Sequence, residues 1–254
     1  MNITERRKFI LAKLQKEKEV KIHELSELLK VSEVTIRKDL KFFEKKSLLF
    51  VTKGGASLEN PYTNERSIDE KKLINVGEKQ KIAKAALAMI RDGDSLIIGS
   101  GTTVFQLSKL LFKRNGVTVI TPALKVALEL CNVNGIEVVQ LGGVLRPNSS
   151  SVAGHAAEDS LKNISSNLLF LGVDGIDLDF GLSITNLAEA SLNRAMIESS
   201  QSLIVMADSS KFGRRALGKV CDLKQVHTII TDDKVSSSIV KSLRSRAVQV
   251  VIAK

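Results

Sequence analysis

The chain has 254 residues, 43% of them hydrophobic and 26% charged, with three prolines and no tryptophan, a composition that excludes disordered and fibrous proteins. Two widely separated cysteines exclude a disulfide framework, and three histidines without a His-x-x-x-His pair offer few metal ligands. No apolar run approaches the roughly 18 residues that span a bilayer. We therefore expect a cytoplasmic protein with no membrane partner, no metal and no other cofactor.

Positive charge is concentrated near the amino terminus. The chain carries 38 Lys and Arg against 28 Asp and Glu, a net charge of +10. Residues 1–58 hold 14 of the basic and 8 of the acidic residues, so most of the surplus lies in less than a quarter of the chain. Such a concentration is typical of a segment that binds a polyanion, although a solvated lysine-rich face is the alternative.

Residues 1–58 show the pattern of three short helices and a hairpin. Ser32 is placed to cap the third helix, and residues 48–52 and 56–58 flank the turn Lys53-Gly54-Gly55. This order predicts a winged helix-turn-helix domain. The expected inward positions are Phe9, Ile10, Leu11 and Leu14 in the first helix, Ile22, Leu25, Leu28 and Leu29 in the second, and Val34, Ile36, Leu40 and Phe43 in the third.

In such a motif the first turns of the third helix enter the major groove of DNA. Arg37 can donate to guanine O6 and N7, and Thr35 can reach a thymine methyl group or a phosphate. Lys38 and Lys53 are suited to contact phosphates. The alternative for Arg37 is a surface ion pair with Glu33, worth about 0.3–0.5 kcal/mol. The predicted DNA-contacting residues are Ser32, Thr35, Arg37, Lys38 and Lys53.

The segment 31–40, Val-Ser-Glu-Val-Thr-Ile-Arg-Lys-Asp-Leu, followed by Lys53-Gly54-Gly55-Ala56, resembles the DNA-binding signature of the DeoR family of bacterial transcriptional regulators. Two positions depart from it, since Ser47 stands where the family usually has glycine and Lys53 where histidine is common. The resemblance implies binding to double-stranded operator DNA. Symmetric operators require at least a homodimer.

After a predicted linker at residues 59–78, residues 79–254 alternate between apolar strand-like runs and helical stretches. This alternation predicts an α/β domain with a mainly parallel sheet covered on both faces. The predicted strands are 95–98, 117–121, 136–141, 168–171, 203–207, 228–231 and 248–252. The predicted helices are 104–112, 123–131, 187–199 and 236–245.

Polar turns follow several of these strands, at the edge where open α/β sheets bind ligands. Gly99-Ser100-Gly101-Thr102-Thr103 has the glycines, hydroxyls and helix start of a phosphate-binding turn, although a tight strand-to-helix turn favours the same residues. Arg146 and Lys211 supply cations after two other strands. Asp174 follows another strand and supplies a carboxylate that can accept hydrogen bonds from sugar hydroxyl groups. These features predict a site for a small phosphorylated sugar.

The same turns resemble the sensor domain of the DeoR family, so that the resemblance extends from about residue 6 to residue 233. It implies the fold of the ribose-5-phosphate isomerase superfamily and a repressor of a carbohydrate-use operon that a phosphorylated sugar releases. Gly99 and Asn193 depart from the common pattern, and the glycine-hydroxyl turn looks closest to members controlling amino-sugar use. The predicted ligand-binding residues are Ser100, Gly101, Thr102, Thr103, Arg146, Asp174, Gly175, Glu189 and Lys211.

A sugar-phosphate isomerase is the alternative function. Asp174 and Glu189 are the residues that could form its acid/base pair. Against it, residues 179–183 lack the Lys-Gly-Gly-rich loop of ribose-5-phosphate isomerases, and a DNA-binding domain gives the fold a use without turnover. We therefore expect a regulator and no enzymatic activity.

Overall fold

A computed structural model describes residues 2–46, 48–52, 54–58 and 67–254 of the chain. The chain divides into two compact units, residues 1–64 and 65–254. Predictions for Ser47 and Lys53 lie outside the described residues. Residues 67–78, which we interpreted as part of a linker that is partly helical from Ile68, belong to the second unit and are helical at 68–71 and 76–78. No helix within the described ranges is long and apolar enough to cross a membrane.

The described residues of the first unit form three helices and a small antiparallel sheet. The elements are α1 (Ile3–Glu17), β1 (Glu19–Lys21), α2 (Ile22–Leu29), α3 (Glu33–Glu44), β2 (Phe50–Thr52) and β3 (Gly55–Ser57). Strand β3 is central and pairs with both β2 and β1. The predicted hairpin is therefore present, and β1, which the sequence pattern did not indicate, adds a third strand to it.

The core of the first unit follows the predicted helical spacing with three corrections, since Phe9 of α1 and Leu28 of α2 are exposed as well as Val34 of α3. Ile36 and Leu40 of this helix are completely buried, and Phe43 is nearly so. Val34, which we expected inside, is 61% exposed. At 3.6 residues per turn, Val34 lies about 200° around the helix from Ile36, so both cannot face the same core.

The second unit is built on a large parallel sheet. Its helices are α4 (Ile68–Lys71), α5 (Val76–Leu87), α6 (Thr102–Ser108), α7 (Leu124–Leu130), α8 (His155–Leu161), α9 (Leu187–Glu198) and α10 (Ser237–Arg244). Its strands are β4 (Ser95–Ile98), β5 (Val117–Thr121), β6 (Ile136–Gln140), β7 (Val144–Arg146), β8 (Ser151–Ala153), β9 (Ser166–Leu171), β10 (Gly175–Asp177), β11 (Gly181–Ile184), β12 (Ser200–Met206), β13 (Gly218–Cys221), β14 (Thr228–Asp232) and β15 (Gln249–Ala253).

Within residues 67–254, seven strands form the main sheet in the order β15-β14-β12-β9-β4-β5-β6, and every neighbouring pair is parallel. Helices α5, α6 and α7 pack on one face and α8, α9 and α10 on the other. The predicted parallel sheet with two covered faces is confirmed. A hairpin of β7 and β8 and an antiparallel sheet of β10, β11 and β13 were not predicted.

The strand order reverses beside β4. From β4 the chain runs outward through β5 to β6 and then returns to β9 on the other side of β4. Connections that leave two adjacent parallel strands in opposite directions open a crevice at their carboxyl ends. The fold therefore places a crevice between the turns that follow β4 and β9.

Candidate ligand site and nucleic-acid interface

A cleft of about 630 Å³, part of it open to solvent, lies at this crevice. It brings together most of the residues that the sequence singled out for a ligand. The predicted residues that line it are Ser100, Gly101, Thr102, Thr103, Asp174, Glu189 and Lys211. Polar residues that also line it without having been predicted are Lys71, Lys79, Asn148 and Ser149.

The turn after β4 forms one wall of the cleft. Gly101 adopts a φ of 126°, a conformation that side chains rarely tolerate, and a Cβ atom there would meet no atom within 4 Å. The backbone of this turn is therefore accessible from the cleft. Thr102 and Thr103 follow it at the start of α6 and are almost completely buried.

Three lysines, which we call the lysine cluster (Lys71, Lys79 and Lys211), contribute positive charge to the cleft. Burial lowers the pKa of Lys79 and of Lys211, and nearby carboxylates only partly oppose that effect. Lys79 Nζ donates to the carbonyl oxygens of Lys71 at 2.5 Å and Ile74 at 2.6 Å. An ammonium group held in this way among polar atoms is suited to bind an anion.

Asp174 balances part of this charge. Lys71 Nζ lies 3.0 Å from its Oδ1, and the Thr185 backbone N–H and hydroxyl both donate to its Oδ2 at 3.0 Å. Burial disfavours the carboxylate, but the charges of Lys71 and Lys211 and the hydrogen bonds from Lys71 and Thr185 together outweigh burial and lower the pKa of Asp174 to about 2. Asp174 is therefore an anion at neutral pH.

Glu189 lies at the start of α9, where Asn186 accepts hydrogen bonds from the backbone N–H groups of Ala188 and Glu189. Arg146 forms an ion pair with Glu189, and the Ser151 hydroxyl donates to the same carboxylate at 3.2 Å. Arg146 is not among the residues that line the cleft, but it contacts Glu189, which is. Its guanidinium therefore holds a wall residue in place.

Gly175, the other predicted residue that does not line the cleft, begins β10. A Cβ atom at this position would lie 2.5 Å from the carbonyl oxygen of Arg214. The close approach of two backbone segments accounts for glycine here.

Residues 67–75, which we call the strap, cross one side of the cleft. The Ile68 N–H donates to the carbonyl oxygen of Asn148 at 2.7 Å, and Asn75 Nδ2 donates to Asp208 Oδ1 at 3.0 Å. The contacts of Lys71 and Lys79 described above hold its middle. The strap lies at the amino-terminal end of the second unit, close in sequence to the boundary between the two units at residues 64 and 65.

One sequence signal could have revealed Lys79. It precedes Ile82, Ala83 and Ala86 by three, four and seven residues, so it lies on the apolar face of α5, where an unpaired lysine is unexpected. The contribution of Lys71 carries no such signal, because only the packing of the strap brings it to the cleft.

In the first unit, the residues predicted to contact DNA lie at the start of α3. Ser32 caps the helix, because its hydroxyl oxygen accepts a hydrogen bond from the Thr35 N–H at 3.3 Å. The hydroxyl oxygens of Ser32 and Thr35 are 3.0 Å apart. Arg37 Nη2 donates to Glu33 Oε2 at 3.0 Å, the surface ion pair that we weighed as an alternative. Both of these side chains and Lys38 are substantially exposed to solvent. An exposed ion pair of this kind is weak. The Arg37 side chain can therefore leave Glu33 for a DNA base at little cost in free energy.

A buried carboxylate fixes α3 against α1. Asp39 is 1% exposed and accepts from Arg6 Nε at 2.6 Å and Arg7 Nε at 2.7 Å. The Arg7 guanidinium also stacks over the Phe42 ring, 3.7 Å from its centroid. These contacts set the orientation of the helix that presents Arg37 and Lys38.

Comparison with known families matches both units. Residues 6–61 match the DeoR-like helix-turn-helix domain, and residues 74–233 match the DeoR C terminal sensor domain. The chain belongs to the DeoR family of transcriptional regulators.

Individual relatives cover nearly the whole chain. A protein of Escherichia coli O157:H7 named putative aga operon transcriptional repressor is 39% identical, over 98% of this chain and 93% of its own length. The glycerol-3-phosphate regulon repressor of Escherichia coli (strain K12) is 29% identical, over 98% of each chain. Ribose 5-phosphate isomerase A from Methanocaldococcus jannaschii aligns with 54% of this chain and 55% of its own, at 19% identity and a TM-score of 0.41.

The expectation of a regulator rather than an enzyme is confirmed by this family membership. The site chemistry agrees with it. A general base works best with a pKa near the working pH, whereas the pKa of Asp174 is about 2. Glu189, the other candidate for the acid/base pair, is engaged with Arg146.

The charge balance around Asp174 predicts a pH-dependent stability. Its pKa in the folded protein is about 2, below the ordinary value of 3.8, so its stabilising effect is complete above the ordinary value and is lost as the pH falls toward 2. Between about pH 5 and pH 3, the wild-type protein should lose about 1 kcal/mol more unfolding free energy than Asp174→Asn. Urea titrations at both pH values measure this difference. Parallel losses in the two proteins would contradict the assignment.

Proposed function

We propose that the cleft of the second unit binds a small phosphorylated sugar, and that this ligand releases the protein from operator DNA. The observation that carries the proposal is the convergence of the lysine cluster and the turn of residues 100–103 on one cleft. Ammonium groups, accessible backbone N–H groups and hydroxyls are the donors that proteins use for phosphate.

Other residues of the cleft suit the sugar part of such a ligand. Asp174 and Glu189 supply carboxylate oxygens, which accept hydrogen bonds from hydroxyl groups, and Asn148 and Ser149 add further polar atoms. Because the carboxylates would repel a phosphate, we expect the phosphate beside the lysine cluster and the hydroxyl groups beside Glu189. The names of the relatives support a role in carbohydrate use, since one is the repressor of a glycerol-3-phosphate regulon.

Lys211→Gln tests the phosphate part of this proposal. Removing one half-buried cation from a charge-assisted contact should weaken sugar-phosphate binding about tenfold or more. Calorimetry with a panel of sugar phosphates, amino-sugar phosphates included, measures the affinity. Lys162→Gln is the matched control, because Lys162 directly follows α8 and is exposed, and it should bind like the wild type. An unphosphorylated sugar that binds as tightly as its phosphate would contradict the proposal.

We further propose that the protein acts as a repressor of a carbohydrate-use operon and reads its operator with α3. The exposed start of this helix carries Arg37 and Lys38, which provide a base-reading group and a phosphate-binding group one residue apart. A symmetric operator requires two copies of α3, so we propose at least a homodimer.

Two substitutions separate base reading from phosphate contact. Arg37→Ala should cost about 1–3 kcal/mol on the preferred duplex and relax the preference at one base pair. Lys38→Ala should weaken binding to all sequences alike and reduce the salt dependence. The measurement is a gel-shift titration on a duplex selected from a random library by the wild-type protein. Unchanged affinity and preference in Arg37→Ala would show that α3 does not dock in this way.

The strap offers a physical route from the ligand to the DNA-binding unit. It contributes Lys71 to the cleft, and Lys79 holds its backbone at two carbonyl oxygens. A phosphate that attracts these ammonium groups competes with the contacts that hold the strap, and the strap lies close in sequence to the boundary between the two units. Each tenfold loss of DNA affinity requires about 1.4 kcal/mol of coupling between the two sites.

Asn75→Gly tests this route without changing a residue that lines the cleft. Asn75 has a φ of 52°, a left-handed conformation that glycine adopts without strain, and its side chain holds the strap to Asp208. We expect nearly unchanged ligand affinity by calorimetry and a several-fold smaller effect of ligand on DNA affinity by fluorescence anisotropy.

Ala247→Gly is the control for Asn75→Gly, because Ala247 is also left-handed, with a φ of 61°, but lies next to α10. It should couple ligand and DNA as the wild type does. Full coupling in Asn75→Gly would remove the strap from the route.

A further inference from the structure

Val34 stands out among the residues of α3. It is 61% exposed, whereas Ile36 and Leu40 of the same helix are completely buried. Its side chain is therefore largely outside the core that holds the helix in place. Single exposed apolar residues are common on proteins, so exposure alone assigns Val34 no role.

The surroundings of Val34 are more informative. Arg37 and Lys38 follow it by three and four residues, so they are its neighbours on the helix surface, and both are exposed. The exposed start of α3 thus presents an apolar group beside two cations. This combination matches the major groove of DNA, where phosphates flank base edges that carry one kind of apolar group, the C5-methyl group of thymine.

We propose that Val34 is a specificity-determining residue that contacts the C5-methyl group of a thymine in the operator. The inference rests on the proposed function, in which α3 enters the major groove. Thr35, the residue to which the sequence pattern assigned a thymine methyl or a phosphate, is less exposed, and its hydroxyl lies 3.0 Å from that of Ser32. Val34 has no hydroxyl to satisfy and presents its methyl groups to solvent.

Replacing thymine by deoxyuridine tests the contact, because the two bases differ only by the methyl group. A duplex selected from a random library by the full-length protein is resynthesised with each thymine replaced in turn. Burying one methyl-sized group is worth about a fourfold change in affinity. We therefore expect about a fourfold loss for the wild-type protein at one thymine, and no loss at that position for Val34→Ala.

Folding does not limit this experiment. Alanine is a better helix former than valine, and Val34 is exposed, so Val34→Ala should unfold at the same temperature as the wild type or slightly higher. Leu28→Ala, which shortens an apolar side chain on α2 that is 55% exposed, is the matched control and should keep the wild-type deoxyuridine profile.

The outcomes distinguish this inference from the proposed function. A wild-type profile without any sensitive thymine, or a Val34→Ala profile identical to that of the wild type, overturns the role of Val34. If Arg37→Ala still relaxes the base preference in either case, α3 reads DNA and only the thymine contact is wrong. If Arg37→Ala also leaves the preference intact, the docking of α3 itself fails.

Discussion

Parallel pairing of β4 with β9 is the constraint on which the site in the second unit depends. Their register places Ile98 opposite Phe170, so the two strands end at the same edge of the sheet. The turns that follow, at residues 99–101 and 172–174, must then face each other across the crevice. Strand pairing alone therefore brings together two segments that are about 70 residues apart in the sequence, and the lysine cluster is added to them by α5, the strap and the turn after β12.

Burial disfavours the charged form of the lysines in the cleft. Carboxylates of the same chain balance part of their positive charge. Asp174 pairs with Lys71, and Asp208 lies close enough to raise the pKa of both Lys79 and Lys211 against the effect of burial. These carboxylates therefore offset part of the positive charge of the lysine cluster in the absence of a ligand. A bound phosphate would compete for the same cations. In the proposed function, the charges that an anionic ligand would disturb are therefore those that balance one another in the ligand-free cleft.

Buried and exposed ion pairs have different roles in this protein. Asp39 with Arg6 and Arg7, and Glu189 with Arg146, are mostly buried and hold a functional helix or wall residue in one orientation. The pair of Glu33 with Arg37 is exposed and weak, so its members are available to exchange partners. An orientation needs a contact that persists, whereas recognition needs a side chain that can leave its partner.

Local patterning was enough to predict the winged helix-turn-helix, the strands of the parallel sheet and the turn at residues 100–103, because hydrophobic period, glycines and caps act within a few residues. Local patterning failed where the outcome depended on which way a side chain faces or on contacts between segments that are distant in the sequence. Val34 and Ile36 are both apolar, and only packing decided which one faces the core. The ion pair of Arg146 with Glu189 joins residues that are distant in the sequence, so no local pattern indicated it. Lys71 reached the cleft through the folding of the strap, since contacts between distant segments depend on the whole chain and are not encoded in any short stretch of it.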